Sequence, residues 1–594
     1  LQRLKSNPDA KAIEQLQLDA FRYRRDCGME NVKSRKGHLS RIGDDDHSSE
    51  REEEAVERKR RSSRHSGEGS GGGKGILLTG LIIAMLFGAL DGTIVGTAMP
   101  RIVGEMGGLG LMTWLTTAYM LTSTVIVPVA GKLADLLGRR VIYVTGLLIF
   151  IGGSALCGIS QSMTQLIIYR GIQGLGGGIM MPMAIIIIGD MFTGKQRAKW
   201  QGIFGALFGL SSVIGPQVGG WIVDAWNWRW VFYINLPVGV LAVLFIAMGL
   251  PKHRHEGKVV FDIPGIFTMI VGVVSLLLAL TFGGKEFAWG SWQIIGLFAI
   301  AIVALASFVW IESRAEEPIL PISLFRHKVF TVINGVGFLM AVGMFGAIMF
   351  VPLFMQGIVG ISAAASGTIM TPMMITMIAA SVIGGQLVYK IGMRTQIIIG
   401  MIIVAVGFYL LSTMGINTTK LAASSYMVVL GAGLGLVMPL LTLALQESFP
   451  KSELGVVTSS SQFFRQIGGT FGMTILGAIM NYRSAALLTT NLVPVLRALP
   501  AEASSAAADI TAKINHDAQA LYSILLSPEA MAQFPPALAA QFVPILKDAM
   551  VDSLHRVFLF GLLFVILGAV LSLFAGKIKL SDKKSRGDQE AEPA

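Results

Sequence analysis

The sequence predicts an all-α polytopic membrane protein of fourteen transmembrane helices, and three observations carry that expectation. Only 14% of the 594 residues are charged while 53% are apolar, and the mean hydropathy is +0.63, whereas soluble chains are about a quarter charged. Stretches of about 20 residues almost free of charge recur from Gly75 to the C-terminal region; each can cross roughly 30 Å of hydrocarbon while satisfying its own backbone hydrogen bonds. Finally, the basic residues collect in alternate connections.

The helices are expected at about 75–100, 110–130, 141–160, 166–190, 200–224, 229–250, 262–283, 291–311, 329–353, 363–389, 396–415, 421–446, 455–480 and 554–576. With the N-terminus inside, fifteen basic residues fall in the short inner connections, from Lys132, Arg139 and Arg140 through Lys195, Arg197 and Lys199 to Lys451. Against these, Arg101, Arg229, Lys285 and Lys420 stand at the outer ends of the spans. Positive charge retained on the cytoplasmic side places both termini in the cytoplasm of a bacterial inner or plasma membrane. The same placement accounts for the net charge of +11 without nucleic acid.

Residues 1–74 are polar, mixed in charge and end in a glycine cluster before Lys74. Residues 11–26 could form a short helix, but from Lys33 onward too little apolar surface is available to fold alone. The segment reads as a cytoplasmic tail, too long and too charged for the basic region of a secretion signal. No Ser or Thr follows Lys74 and no strand leads into the glycines, so they are not a phosphate loop. The chain contains no soluble nucleotide-binding domain, which leaves an ion gradient, a partner protein or nothing as the source of energy. Cys27 and Cys157 give no basis for a disulfide.

The remaining domains are expected at 75–250, a six-helix bundle; 251–328, two additional helices and a linker; 329–576, a second bundle; and 577–594, a cytoplasmic tail. A faint repeat supports two halves: Gly131 to Arg140 follows the second helix as Gly385 to Arg394 follows the tenth, each with a Gly, a basic turn and a second Gly. Residues 481–551 form a long outer segment in which Ala506 to Leu526 is rich in helix formers and Pro528, Pro535 and Pro536 are breakers. It reads either as a lid or spacer, or as a module for substrate or an envelope accessory protein.

Asp91 lies about sixteen residues into the first span. An ionised, unpaired carboxylate there is costly, so it either changes protonation during a cycle or is held by a neighbouring Arg. Arg170, in the outer part of the fourth span, is at a compatible depth, although it could instead snorkel to the headgroups. Gly215, Pro216, Gly219 and Gly220 make a place where the fifth span can bend against a neighbour. Asp135, Arg139 and Arg140 are too near the inner boundary to meet substrate at depth and can bond adjacent helix ends as a gate. Arg465 is either a cavity residue or polar glue between helices. Asn334, Gln356 and Gln446 are further cavity candidates, and Met180, Met181, Met183, Met373, Met374 and Met377 suit an adaptable apolar cavity or ordinary packing.

In these residues the chain resembles the fourteen-helix drug:proton antiporters of the major facilitator superfamily, over about 75–480 and the last helix. Asp91 to Pro100 resembles that family's first-helix signature, with Gly96 where Asn is usual and Met99 where Leu is usual. Gly131, Asp135, Gly138, Arg139 and Arg140 match the superfamily's cytoplasmic gating loop. Arg170, Gln173, Gly174 and Gly176 match the fourth-helix signature associated with proton transfer. Gly215, Pro216, Gly219 and Gly220 match the antiporter signature, with Ser211 replacing its first Gly, and Trp228 to Pro237 is typical of the fourteen-helix branch.

The resemblance implies a major facilitator fold of two six-helix bundles with two inserted helices, and export of amphiphilic or hydrophobic drugs by alternating access. Asp91, Arg170 and Gln173 would couple transport to H+; no cofactor, metal or enzymatic activity is expected, and a monomer should suffice. The alternatives are export of an endogenous lipid, peptide or secondary metabolite, and a non-transporting receptor or accessory subunit.

Overall fold

The computed structural model describes residues 70–107, 111–251, 261–284, 286–361, 363–497, 510–512, 514, 518–522, 525 and 536–576. The expectations for the two tails, and for most of Ala506 to Leu526, lie outside the described residues. Residues up to Gly72 form a separate unit, and the description below concerns Gly73–Ala594.

Sixteen helices carry the described architecture. They are α1 (Ser70–Met106), α2 (Met112–Leu137), α3 (Arg139–Ile159), α4 (Met163–Met191), α5 (Gly194–Ala225), α6 (Trp230–Tyr233), α7 (Asn235–Gly249), α8 (Ile263–Phe282) and α9 (Trp292–Glu312). After a 3-10 turn at Ile322–Arg326 come α10 (Lys328–Gly357), α11 (Ala363–Ile391), α12 (Met393–Ser412), α13 (Lys420–Ser448), α14 (Leu454–Asn491), α15 (Val493–Arg497) and α16 (Pro536–Ser572). The short α6 runs into α7 to make one span, Trp230–Gly249.

Among the described residues, 12 helices are long and apolar enough to cross a membrane. The expected fifth and thirteenth spans, α5 and α14, have the length, 32 and 38 residues, but not the composition. For α14 the reason is packing: from Leu454 to Asn481 none of its residues is exposed. A helix enclosed by protein can carry Ser, Thr, Gln and Arg that a lipid-facing helix cannot.

The ends of the outer segment also differ from expectation. Helix α14 continues past residue 480 to Asn491, and α16 begins at Pro536 rather than at 554. No breaker interrupts residues 481–491, and Pro is tolerated at the first helical position because the N–H it lacks would have no partner there. Part of the segment between them docks back: Ile514, Leu521 and Tyr522 are buried, with the Tyr522 hydroxyl 2.8 Å from Ser484 Oγ.

Helices α2, α3, α4 and α7 pack on one another, as do α10 to α14 and α16; α2 crosses α14, and α5 crosses α11. Helix α1 lies against α7 at Gly80 and Gly249 and against α5 at Gly215 and Gly219. Helix α8 contacts both α2 and α14, through a Trp114–Phe282 ring contact of 4.9 Å and a Thr474 hydroxyl donating to Leu280 O at 3.0 Å.

The internal repeat has a geometric counterpart. Gly138 and Gly392 each join consecutive helices with positive φ, 92° and 81°, a conformation that disfavours any side chain. Arg140 donates to Leu250 O at the end of α7, and Arg394 donates to Leu573 O just beyond α16.

Candidate functional site

Asp91 and Arg170 meet inside the bundle, Nη1 to Oδ2 at 2.7 Å, with side chains 0% and 2% exposed respectively. The other carboxylate oxygen accepts from Gln173 Nε2 at 2.8 Å and from Asn235 Nδ2 at 2.9 Å. Gln173 also donates to Ser154 Oγ at 2.7 Å and accepts from Arg170 at 2.7 Å. The guanidinium lies 4.2 Å from the centre of the Tyr119 ring. The three residues expected to act together are thus in direct contact, and Arg170 does not reach a headgroup. Asn235, Ser154 and Tyr119 complete a site to which the sequence reading assigned them no part. Cys157 lies alongside, its Sγ 3.8 Å from Gln173 Oε1.

Glycine makes this convergence sterically feasible. A Cβ on Gly153 would overlap the backbone of Gln173, and one on Gly174 would overlap Thr122 Oγ1 and Tyr119 O. Gly215 and Gly219 of α5 face Thr93 and Thr97 of α1, where a Cβ on either would strike a threonine hydroxyl oxygen. The expected bend at 215–220 falls inside one continuous helix, and these glycines hold α5 close beside the turn that carries Asp91.

At the end of the molecule bearing the basic connections, two seams join the halves. At the first, a Cβ on Gly131 would overlap Ser459 Oγ and Gly455 O. Asp135 accepts from the backbone N–H of Gly455 at 3.2 Å and of Val456 at 2.9 Å, placing a carboxylate on the positive end of α14. Arg139 bridges Asp135 to Asp190, the latter at 3.0 Å, and Lys132 pairs with Glu317 at 2.6 Å.

The second seam was not foreseen. Arg197 and Glu447 form an ion pair of 2.8 Å with side chains 4% and 3% exposed, and Glu447 also accepts from Gly194 N–H at the start of α5 at 3.4 Å. Arg197 donates further to Gln446 O and Gly189 O. Only the likeness between the ends of α4 and α13, where Asp190 and Glu447 hold similar places, could have marked this pair from sequence. Gln446, expected to line a cavity, is buried at this seam, accepting from Gln201 at 2.9 Å and donating to Thr458 at 3.2 Å.

Arg465 lies farther along α14. Its Nη1 donates to Thr442 and Ser461 hydroxyls at 3.3 and 3.4 Å and its Nη2 to Gln462. Asn334 is buried on α10 with Nδ2 donating to Phe330 O at 2.9 Å. Gln356 is half-buried near the far end of α10. Met180, Met183, Met373, Met374 and Met377 are buried, as packing residues are. Among the described residues no cluster suited to a metal ion occurs.

Four likenesses bear on this arrangement. Residues 81–473 match the model of the Major Facilitator Superfamily. The multidrug transporter protein MdtP of Bacillus subtilis is 65% identical over 529 residues, 89% of this chain and 98% of that one. Multidrug resistance protein 3 of the same bacterium is 37% identical over 504 residues, 85% and 95% of the two chains. In fold alone, the crystal structure of the human organic anion transporter MFSD10 is similar over 83% of this chain and 99% of that one, with a TM-score of 0.54 at 13% identity.

Proposed function

The chain belongs to the major facilitator superfamily and is a transporter rather than an enzyme, and on that premise we propose that it exports amphiphilic or hydrophobic drugs in exchange for protons by alternating access. The observation that carries the proposal is the Asp91–Arg170 pair, enclosed on every side and held by Gln173 and Asn235. A proton on Asp91 removes the counter-charge of Arg170. A buried cation so deprived is unfavourable by several kcal/mol, which supplies a drive for α1, α4 and α7 to rearrange. The names of two relatives, both multidrug proteins, support the substrate class.

With the basic end in the cytoplasm, as the charge asymmetry argues, the two closed seams belong to an outward-facing state. Opening toward the cytoplasm requires Asp135 to leave the start of α14 and Arg197 to part from Glu447. Gln446 and Arg197 then act in gating, together with Gly131, Gly138, Arg139 and Arg140.

Ethidium efflux from proteoliposomes under an imposed pH gradient tests this directly. Native protein should show gradient-dependent flux, and Asp91→Asn should abolish the coupling while the protein remains inserted. Coupled flux that survives in Asp91→Asn would remove the proposed role.

A further inference from the structure

Among the described residues Arg465 has no ion-pair partner. Helices α10 to α14 and the 3-10 turn Lys451–Glu453 between the last two contain only two acidic residues, Glu447 and Glu453. Both stand at the basic end, and Glu447 already pairs with Arg197. Arg465 is eleven residues into α14, about 16 Å from its start at 1.5 Å per residue. Its protein partners are three neutral oxygens, those of Thr442, Ser461 and Gln462. A guanidinium carries five donors, so part of its fork, Nε included, has no acceptor among the described residues. Deep in a membrane protein an ionised group is ordinarily paired in charge, as Arg170 is with Asp91.

Other groups nearby also lack partners. Gln466 Oε1, on the next residue, is buried without a hydrogen bond, and so is Asn334 Oδ1. Asn334 lies one turn along α10 from Gly337, whose Cβ position would be 3.3 Å from the Arg465 side chain. Toward the far end of α14, Gly468 and Gly469 let Phe338 and Phe345 of α10 come close, and the rings of Phe338 and Phe471 are 5.7 Å apart. All three rings are only partly buried. A charged fork with spare donors therefore stands beside an aromatic surface.

We propose that Arg465 is the counter-charge for an anionic substrate group, so that the preferred substrates are amphiphiles carrying a carboxylate, with the apolar body against Phe338, Phe345 and Phe471. This deepens the exporter reading above and rests on it. An Arg fork matches a planar carboxylate through two parallel hydrogen bonds. A cationic amphiphile in the same place would meet an unpaired like charge.

The test compares dansyl-leucine with its methyl ester, which differ in charge and share an apolar body, and uses ethidium as the cation. Flux is measured in proteoliposomes under a pH gradient for native protein, Arg465→Gln and Arg465→Lys. The KM of native protein should be lower for the carboxylate than for the ester. Arg465→Gln should raise the carboxylate KM about tenfold or more, the loss expected for a charge-assisted hydrogen bond, and should raise the ester KM by much less. Arg465→Lys should recover part of the loss.

An unaltered elution volume in detergent shows that a variant is folded. Equal handling of acid and ester by native protein, or an equal loss of both in Arg465→Gln, overturns the anion assignment and leaves the exporter reading standing. Absence of gradient-driven flux of all three probes in native protein overturns the exporter reading, and the anion assignment with it.

Discussion

Each oxygen of Asp91 is bonded, to Arg170 on one side and to Gln173 and Asn235 on the other. Asp91, Arg170 and Gln173 could be picked out from sequence because a polar residue at membrane depth demands an explanation, and the family signatures pointed to the same positions. Asn235 could not, because it lies 144 residues from Asp91 and begins a helix whose approach is set by tertiary packing. Its role is open to test: Asn235→Ala removes one donor to a charged oxygen, an interaction of about 1.5–3 kcal/mol. Coupled flux should fall about tenfold or more with substrate affinity unchanged, as read by separate binding and flux measurements. Asn235→Leu and Asn235→Ala losing affinity and flux in parallel would instead mark a packing residue.

Among the elements, the seams are built on helix starts. Each of α14 and α5 presents its first N–H groups to a carboxylate of the opposite half, Asp135 and Glu447. Glu447→Gln should leave Arg197 buried without its charge partner, weakening the closed seam by about 3–5 kcal/mol. Cross-linking of cysteines introduced across the opening at the opposite end should become faster, as that opening closes. Exchanging the pair, Arg197→Glu with Glu447→Arg, should fail to restore closure, because a cation would then face the positive start of α5.

Gly131→Val should act as a wedge between α2 and α14, since a Cβ there overlaps Ser459 and Gly455. Overpacking of this kind costs about 1–3 kcal/mol, and Ser459→Gly should return part of the transport rate. The first seam was legible from sequence because its Gly, Asp and Arg residues are adjacent in one loop. The second was not, because Arg197 and Glu447 are 250 residues apart and one was counted only among the basic residues of a connection.

Outside the spans, burial pushes the Tyr522 phenol up from 10.0 to about 12, with its hydrogen bonds to Ser484 and Ser553 acting in the opposite sense. A raised folded value favours the docked segment fully below pH 10, and that contribution is lost as the pH rises toward about 12. Proteolysis of the outer segment should therefore be independent of Tyr522 ionisation at neutral pH and quicken above pH 10. In Tyr522→Phe that alkaline step should disappear.

For the molecule as a whole, hydropathy located the helices well because lipid contact imposes an apolar exterior. It marked α14 poorly for the converse reason, since from Leu454 to Asn481 that helix spends its surface on other helices. The inserted hairpin introduces an asymmetry that no local pattern announced: α8 rests on both α2 and α14, and the linker after α9 reaches Lys132 through Glu317. Glu317 is partly exposed, 45%, so Glu317→Gln should shift stability by less than about 1 kcal/mol in thermal unfolding. Its effect on flux should appear only if the linker follows the gate.

Cys157 is buried beside Gln173, and the chain's only other cysteine, Cys27, precedes the first span. The protein thus carries its own chemical reporter at the ion pair. Any separation of α3 from α4 that lets water reach Asp91 also uncovers a thiol, so the rate of alkylation at Cys157, followed by mass spectrometry with and without substrate, times the opening of the proton site without any engineered label.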